Sequence, residues 1–186
     1  MKEEIEIKVI LKNPDEVERK LFSIAKLVKN EEQKDIYFTP KHENFFDVKP
    51  PIEYLRVRIE DGKTELHYKY LHLDENKDML KNDEYEVSVG DANTMLEILR
   101  KLDMIEKVSV TKHRKSFEHG DFEISIDFIE EMGYFIEIES RKIIGSIEET
   151  RDKCYTVLEE LGVVWEKISA EERGYPLMVL GKNHGL

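Results

Sequence analysis

Ile5, Ile7 and Val9 alternate with Glu4, Glu6 and Lys8 at the head of the chain. A period of two puts successive side chains on opposite faces of an extended strand. Met1 to Leu11 is therefore expected to be a strand with one aliphatic face and one face carrying Glu, Glu and Lys. The alternation returns in Tyr54 to Asp61, where Leu55, Val57 and Ile59 oppose Arg56 and Arg58. In Thr64 to Tyr70, Leu66, Tyr68 and Tyr70 oppose Glu65, His67 and Lys69. In Glu84 to Val89, Tyr85, Val87 and Val89 oppose Glu84, Glu86 and Ser88. Val108 to Phe117 carries Lys112 and Arg114, Phe122 to Phe128 carries Asp127, and Tyr134 to Arg141 carries Glu137 and Glu139. A short strand is expected at Asp35 to Phe38. Asp61-Gly62 and His119-Gly120-Asp121 read as turns joining antiparallel neighbours.

Helical spacing fills the gaps. Asn13 as a cap and Pro14 in the first turn open a helix whose apolar stripe runs Val17, Leu21, Phe22, Ile24, Ala25, Val28. Asp91 caps a second, with Leu96, Leu99 and Leu102 toward a core. Ser146 and Glu149 form a capping box for a third, which runs through Leu161 and ends at Gly162. Ser169 with Glu172 suggests one more helical turn before Tyr175-Pro176. Lys41 to Pro51 and the charged stretch Asp74 to Asp83 read as loops, and Gly181 to Gly185 as a frayed tail.

Charge changes what this pattern means. The polar faces hold pairs of a single sign: Glu4/Glu6, Arg56/Arg58, Glu84/Glu86, Lys112/Arg114 and Glu137/Glu139. An open sheet would turn those faces to water and would need no chemistry. Like charges along one strand face repel, so their recurrence implies something between them. Closing the sheet would gather these faces around an interior. Small barrels usually fill with apolar side chains. One lined with charge must hold water, ions or a ligand, because unpaired buried charge is very costly. The expected fold class is α+β: a closed or nearly closed eight-stranded antiparallel β-barrel, a tunnel, with helices packed outside and residues 1–186 in one domain.

Composition supports a folded chain. The 186 residues are 40% hydrophobic and 38% charged, too apolar for a disordered chain. A formal net charge of -12 argues against nucleic acid and anionic membrane as partners, but not against a small anion in a locally basic pocket. Cys154 is the single cysteine, so no internal disulfide forms, and it reads as a small buried apolar residue. The opening Met-Lys-Glu-Glu is no signal segment and no run approaches membrane-spanning length. The expectation is a soluble, cytoplasmic protein; a homodimer is compatible with the sequence.

The candidate chemistry is phosphate capture. Lys8, Arg56, Arg58, Lys69, Lys112 and Arg114 supply cations; arginine forks match phosphate oxygens and lysine adds point charge. Glu4, Glu6, Glu137 and Glu139 are hard oxygen donors suited to Mg2+ or Mn2+. No glycine-rich phosphate loop is present, so side chains must hold the phosphates. His67 shares a face with Lys69 and reads as a hydrogen-bonded wall residue. His113 falls on the face away from Lys112 and Arg114 and reads as structural. His42, His72 and His119 lack metal-ligand spacing, and no serine or cysteine has a nucleophile's context. Trp165 and the tyrosines on apolar faces read as core.

Glu4-Ile5-Glu6-Ile7-Lys8 resembles the ExExK signature of the CYTH superfamily, the triphosphate tunnel metalloenzymes, which groups class IV adenylyl cyclases with thiamine triphosphatases. Gln33-x-Asp35-x-Tyr37-Phe38, Leu55-Arg56-Val57-Arg58, Tyr68-Lys69, Glu84-x-Glu86, Lys112-x-Arg114, Asp127 and Gly133 to Glu139 follow in that family's order. ExExK alone is weak; the ordered set, spanning Met1 to about Arg141, is strong. The resemblance implies an eight-stranded tunnel, with Glu4, Glu6, Glu137 and Glu139 near metal and Lys8, Arg56, Arg58, Lys69, Lys112 and Arg114 on a triphosphate. It places Glu84, Glu86 and Asp127 on the acidic wall, as metal ligands or as partners of them. Tyr37-Phe38-x-Pro40 with Phe45-Phe46 resembles the class IV cyclase branch more than the thiamine triphosphatase branch.

The function expected is therefore a metal-dependent enzyme acting on a triphosphate. The leading version is a class IV adenylyl cyclase-like protein making cyclic AMP and pyrophosphate from ATP. The runner-up hydrolyses tripolyphosphate, thiamine triphosphate or a nucleoside triphosphate, with Lys8 or a wall carboxylate (Glu84, Glu86 or Asp127) orienting water. A non-catalytic polyphosphate or nucleotide sensor and an acidic structural barrel are the rivals from other classes.

Overall fold

Two turns with left-handed backbone set the hairpins. Asp61 and Gly62 have φ of 41° and 76°, the paired positive values that a two-residue hairpin of the right twist needs. Gly120, at φ 58°, turns the chain similarly between two later strands. The computed structural model describes residues 2–130, 132–169 and 172–183, without the side chains of Lys2, Glu3 and Asn183. Met1 of the expected first strand lies outside the described residues. So do Ala170 and Glu171 of the expected helical turn and His184 and Gly185 of the expected tail.

In chain order the elements are β1 (Lys2–Leu11), α1 (Pro14–Ile24), β2 (Lys26–Pro40), a 3-10 turn (Phe45–Asp47), β3 (Glu53–Glu60), β4 (Lys63–Leu73), β5 (Met79–Val89), α2 (Ala92–Lys101), β6 (Met104–His119), β7 (Phe122–Ile129), β8 (Gly133–Ser140), α3 (Ile147–Leu161), β9 (Trp165–Lys167) and α4 (Tyr175–Asn183). The hydrogen-bonded order is β5-β4-β3-β2-β6-β7-β8-β1-β9, and a further β5–β1 pairing closes it. The eight long strands thus form the closed antiparallel barrel expected, with β9 as a short addition beside β1.

The chain separates into two compact units. One comprises Met1–Glu3, Gln33–Thr111 and Ser169–Leu186. Within it β3 pairs with β2 and β4, and β4 with β5. Its core joins Ile36, Phe38 and Val57 to Leu96 and Leu99 of α2. Asp91 caps α2 as expected, accepting from Thr94 N at 2.7 Å. Leu102 does not face the core: it stands at the C-terminal cap, 68% exposed.

The other unit comprises Glu4–Glu32 and Lys112–Ile168. Here β8 pairs with β1 and β7, and β7 with β6. The aliphatic faces of β1 (Ile7, Val9, Leu11), β7 (Ile124, Ile126) and β8 (Ile136, Ile138) meet Val17 and Leu21 of α1 and Cys154, Leu158 and Leu161 of α3. Each such side chain, fully buried, contributes roughly 1.5–3 kcal/mol. Cys154 is the buried residue expected, and burial pushes its thiol up to about 12. The capping box of α3 is complete, and Gly162 ends the helix at φ 71°.

Four further expectations need correction. The stripe read as reaching Val28 stops at Ile24, because β2 begins at Lys26 and runs 15 residues rather than four; Phe22 is left 53% exposed, edge-on to Phe117. Asn13 does not cap α1 with its side chain. Its carboxamide donates to Gly162 O at 3.0 Å and accepts from Val164 N at 2.8 Å, tying the start of α1 to the end of α3. Trp165 is 41% exposed and rests against Tyr155. Half of the stretch Asp74 to Asp83 is strand, not loop: β5 begins at Met79 and leaves a turn held by Asp74, whose carboxylate accepts from Asn76 N and Asp78 N.

Candidate functional site

On these strands charged side chains are buried rather than turned to water. Glu4, Glu6, Asp35, Arg58, His67, Glu84, Lys112, Asp127 and Glu137 are all buried, while Tyr85 and Val87 on the apolar side of β5 are 48% and 56% exposed. Charge on the buried face must be paired or coordinated, and each unit carries its own set of pairings.

In the unit that contains β1, register decides the partners. Arg114 on β6 stands opposite Asp127 on β7. Its Nε and Nη2 reach the two carboxylate oxygens at 2.6 and 2.7 Å, and Lys112 Nζ adds a third contact at 3.2 Å. Burial alone would push Asp127 up, but Arg114 and Lys112 outweigh it and hold the carboxyl well below the usual range. On β1, Lys8 stands opposite Glu137 and meets its Oε2 at 2.8 Å; Arg114 Nη2 reaches the same oxygen at 3.3 Å. Burial lowers the Lys8 ammonium, yet Glu137 and Glu6 raise it further. Ser116 and Ser125, both buried, join hydroxyls at 2.7 Å on the same strand pair.

Beside these pairs lie Glu4, Glu6 and Glu139. Glu6 stands opposite Glu139 in register. One carboxylate oxygen from each of the three lies within 4.8 Å of the others. Glu4 and Glu6 are 5% and 8% exposed. Three acceptor-only, like-charged groups drawn this close fit a hard divalent cation, which takes such oxygens as ligands.

In the unit that contains β3, Asp35 on β2 stands opposite Arg58. Arg58 grips it through Nε and Nη2 at 2.7 and 2.8 Å. Arg56, two residues earlier, lies 3.6 Å from Asp35 and 3.5 Å from Glu84 and also hydrogen-bonds Tyr37, while its buried Nε has no hydrogen-bond partner. Lys69 Nζ reaches Glu84 Oε2 at 3.3 Å. His67 stands opposite Glu86 and contacts Glu86, Glu84 and Glu65. Gln33 donates to Glu60 at 2.6 Å.

The structure thus brings Lys8, Lys112, Arg114, Asp127 and Glu137 into one cluster, Glu4, Glu6 and Glu139 into a second, and Arg56, Arg58, Lys69, Glu84 and Glu86 into a third. Sequence reasoning gave no role to Asp35, the counterpart of Asp127. The available signal was its place in the alternation Gln33, Asp35, Tyr37, with an acid on a face otherwise uncharged.

Comparison with known proteins agrees with this arrangement. The CYTH domain profile matches residues 2–175. The putative adenylate cyclase MJ0240 of Methanocaldococcus jannaschii is 36% identical over 159 residues, 85% of this chain and 85% of that one. The PH1819 protein of Pyrococcus horikoshii superposes with a TM-score of 0.80 at 30% identity, covering 96% of this chain and 99% of that one. A Hippeastrum protein, described as a putative adenylyl cyclase with a dominant triphosphatase activity, shares the fold at a TM-score of 0.64 and 16% identity, with 98% and 97% coverage. The profile match runs through every strand that carries the three clusters, and the chain belongs to the CYTH domain family.

Proposed function

We propose that the protein is a metal-dependent enzyme acting on a triphosphate, converting ATP to cyclic AMP and pyrophosphate in the manner of a class IV adenylyl cyclase. The observation that carries this reading is buried charge: cations and carboxylates are buried on strand faces that a structural barrel would fill with aliphatics. The naming of the Methanocaldococcus relative supports the cyclase version. Both compact units serve one domain in this reading, since the family match runs through both.

Lys8, Arg56, Arg58, Lys69, Lys112 and Arg114 bind the phosphates. Glu4, Glu6 and Glu139, with Glu137 beside Lys8, hold Mg2+ or Mn2+. A cation bound there supplies charge neutralisation at phosphate oxygens. Asp35 and Asp127 orient the arginines beside them, so the forks are fixed before substrate arrives and little ordering is left to be done on binding. Glu84 and Glu86 complete the acidic wall.

The test is product analysis. Purified protein is incubated with ATP, tripolyphosphate and thiamine triphosphate under Mg2+ or Mn2+. Cyclic AMP with pyrophosphate supports the cyclase. Orthophosphate without cyclic AMP under either metal overturns it in favour of hydrolysis. Binding without turnover, seen as a raised melting temperature, means a sensor.

A further inference from the structure

We infer that the outer face of α2 is an interface for a second copy of this chain, the two helices packing antiparallel across a twofold axis. The inference does not depend on the triphosphate reading. It starts from the two faces of the helix. Leu96 and Leu99 are buried against Ile36, Phe38 and Val57. The opposite face of a surface helix is ordinarily polar. Here Thr94, Ile98 and Leu102 recur on it at intervals of four, with Ile98 46% and Leu102 68% exposed. With Asn93, Glu97 and Lys101 they line an open hollow of about 440 Å³. A row of apolar side chains from another helix fits such a groove.

Charge identifies the occupant as the same helix. Glu97 and Lys101 stand one turn apart along one edge of the apolar row. They do not pair with each other. Glu97 accepts from Arg100 Nη1 through Oε1 alone, at 2.7 Å, and among the described residues Lys101 forms no ion pair. Each copy therefore offers a carboxylate oxygen with room for a donor and a cation in need of an acceptor. An antiparallel twofold keeps these edges on the same side of the seam. It sets Glu97 of one copy beside the partner copy's lysine, and the reverse, with the aliphatic row between. The net charge agrees. The chain carries -12, which opposes self-association. The ten residues of α2 hold one glutamate against one arginine and one lysine, so two copies meet there without that repulsion.

Sedimentation equilibrium of the full chain should show a concentration-dependent dimer, weak because one short helix pair falls below the area of a standard interface. Ile98→Glu sets two carboxylates in the seam and should leave the mass monomeric at the same concentrations. Leu102→Ser removes apolar contact without adding charge, and serves if the first variant does not fold. Glu97→Lys or Lys101→Glu alone should raise the dissociation constant about tenfold, the scale of two surface pairs turned repulsive. Mixed in equal amounts, these two variants should associate with wild-type strength, because each then meets its complement; the double variant should also recover it. A wild type still monomeric at about 1 mM, where even a weak pair associates, overturns the inference and leaves the apolar row to another kind of partner. A dimer that survives both Ile98→Glu and Leu102→Ser uses a different face and overturns it too. Mixed charge variants that associate no better than either alone overturn the antiparallel arrangement.

Discussion

Arg114 and Asp127 face each other in register on β6 and β7 and close through two hydrogen bonds of 2.6 and 2.7 Å, with Asp127 fully buried. Removing one partner of such a pair strands the other. Asp127→Asn should therefore lower stability by roughly 3–5 kcal/mol in urea unfolding, the cost of breaking a buried ion pair. The pH dependence has a definite sign. The folded carboxyl sits below its ordinary value, so its contribution is complete above the unfolded pKa and is lost as pH falls toward the folded one. Wild-type stability should decline progressively as pH falls below about 5, and the variant should show a flatter acid limb. Parallel acid limbs would mean that Asp127 does not carry the dependence.

Arg56 and Arg58 share a strand but should behave differently. Arg56→Ala should weaken binding of ATP and of tripolyphosphate alike, by about tenfold to a hundredfold, since charge-assisted contacts are worth roughly 1.5–3 kcal/mol. Its melting temperature should move less than that of Arg58→Ala, because its carboxylate contacts, at 3.5 and 3.6 Å, are longer. Arg58→Ala leaves Asp35 without its bidentate partner and should lose several degrees of melting temperature. Calorimetry and thermal unfolding on both variants check this; identical profiles would contradict it.

Glu4→Gln and Glu6→Gln keep shape and remove charge. Without metal each should melt at the wild-type temperature or above, since repulsion within the Glu4, Glu6, Glu139 group is relieved. With Mg2+ or Mn2+ the wild type should gain stability that the variants do not, by mass action on the folded state. Turnover should be abolished in both. A variant that still turns over and still responds to metal would place the cation elsewhere.

The side chain of Asn13 bonds Gly162 O and Val164 N. Asn13→Ala removes both, with a third contact to Glu16 Oε2 at 3.0 Å, and should cost about 1–2 kcal/mol. Asn13→Asp keeps the acceptor for Val164 N and should recover part of that. Urea unfolding midpoints measure the difference; equal losses would show that the donor arm alone matters.

Alternation made most strands legible, because a period of two survives wherever side chains decide the face. It failed on Lys26–Glu32, where Lys, Leu, Val, Lys, Asn, Glu and Glu show no alternation and lie exposed or half-buried. Backbone hydrogen bonding extends β2 there, and no side-chain pattern records it. The charged faces were readable one strand at a time, but pairing is a matter of register. That Asp35 falls opposite Arg58, and Lys8 opposite Glu137, follows from strand alignment set by turns and loops. Asp35 was missed for that reason, and His67 read as a plain wall residue because Glu65, Glu84 and Glu86 converge on it only in the folded sheet.

The bridge from Asn13 spans 149 residues to Gly162 and 151 to Val164, and the unit it fastens draws on Glu4–Glu32 and Lys112–Ile168. A chain emerging from the ribosome presents β1 well before β8, which pairs with it, and α3, which shares its core. Ile7, Val9 and Leu11 therefore wait for the β8 and α3 side chains of their core, with only Val17 and Leu21 of α1 at hand early, a delay that exposes apolar surface during synthesis. Nascent chains arrested before Val164 should leave α1 open to protease, and those released past it should not.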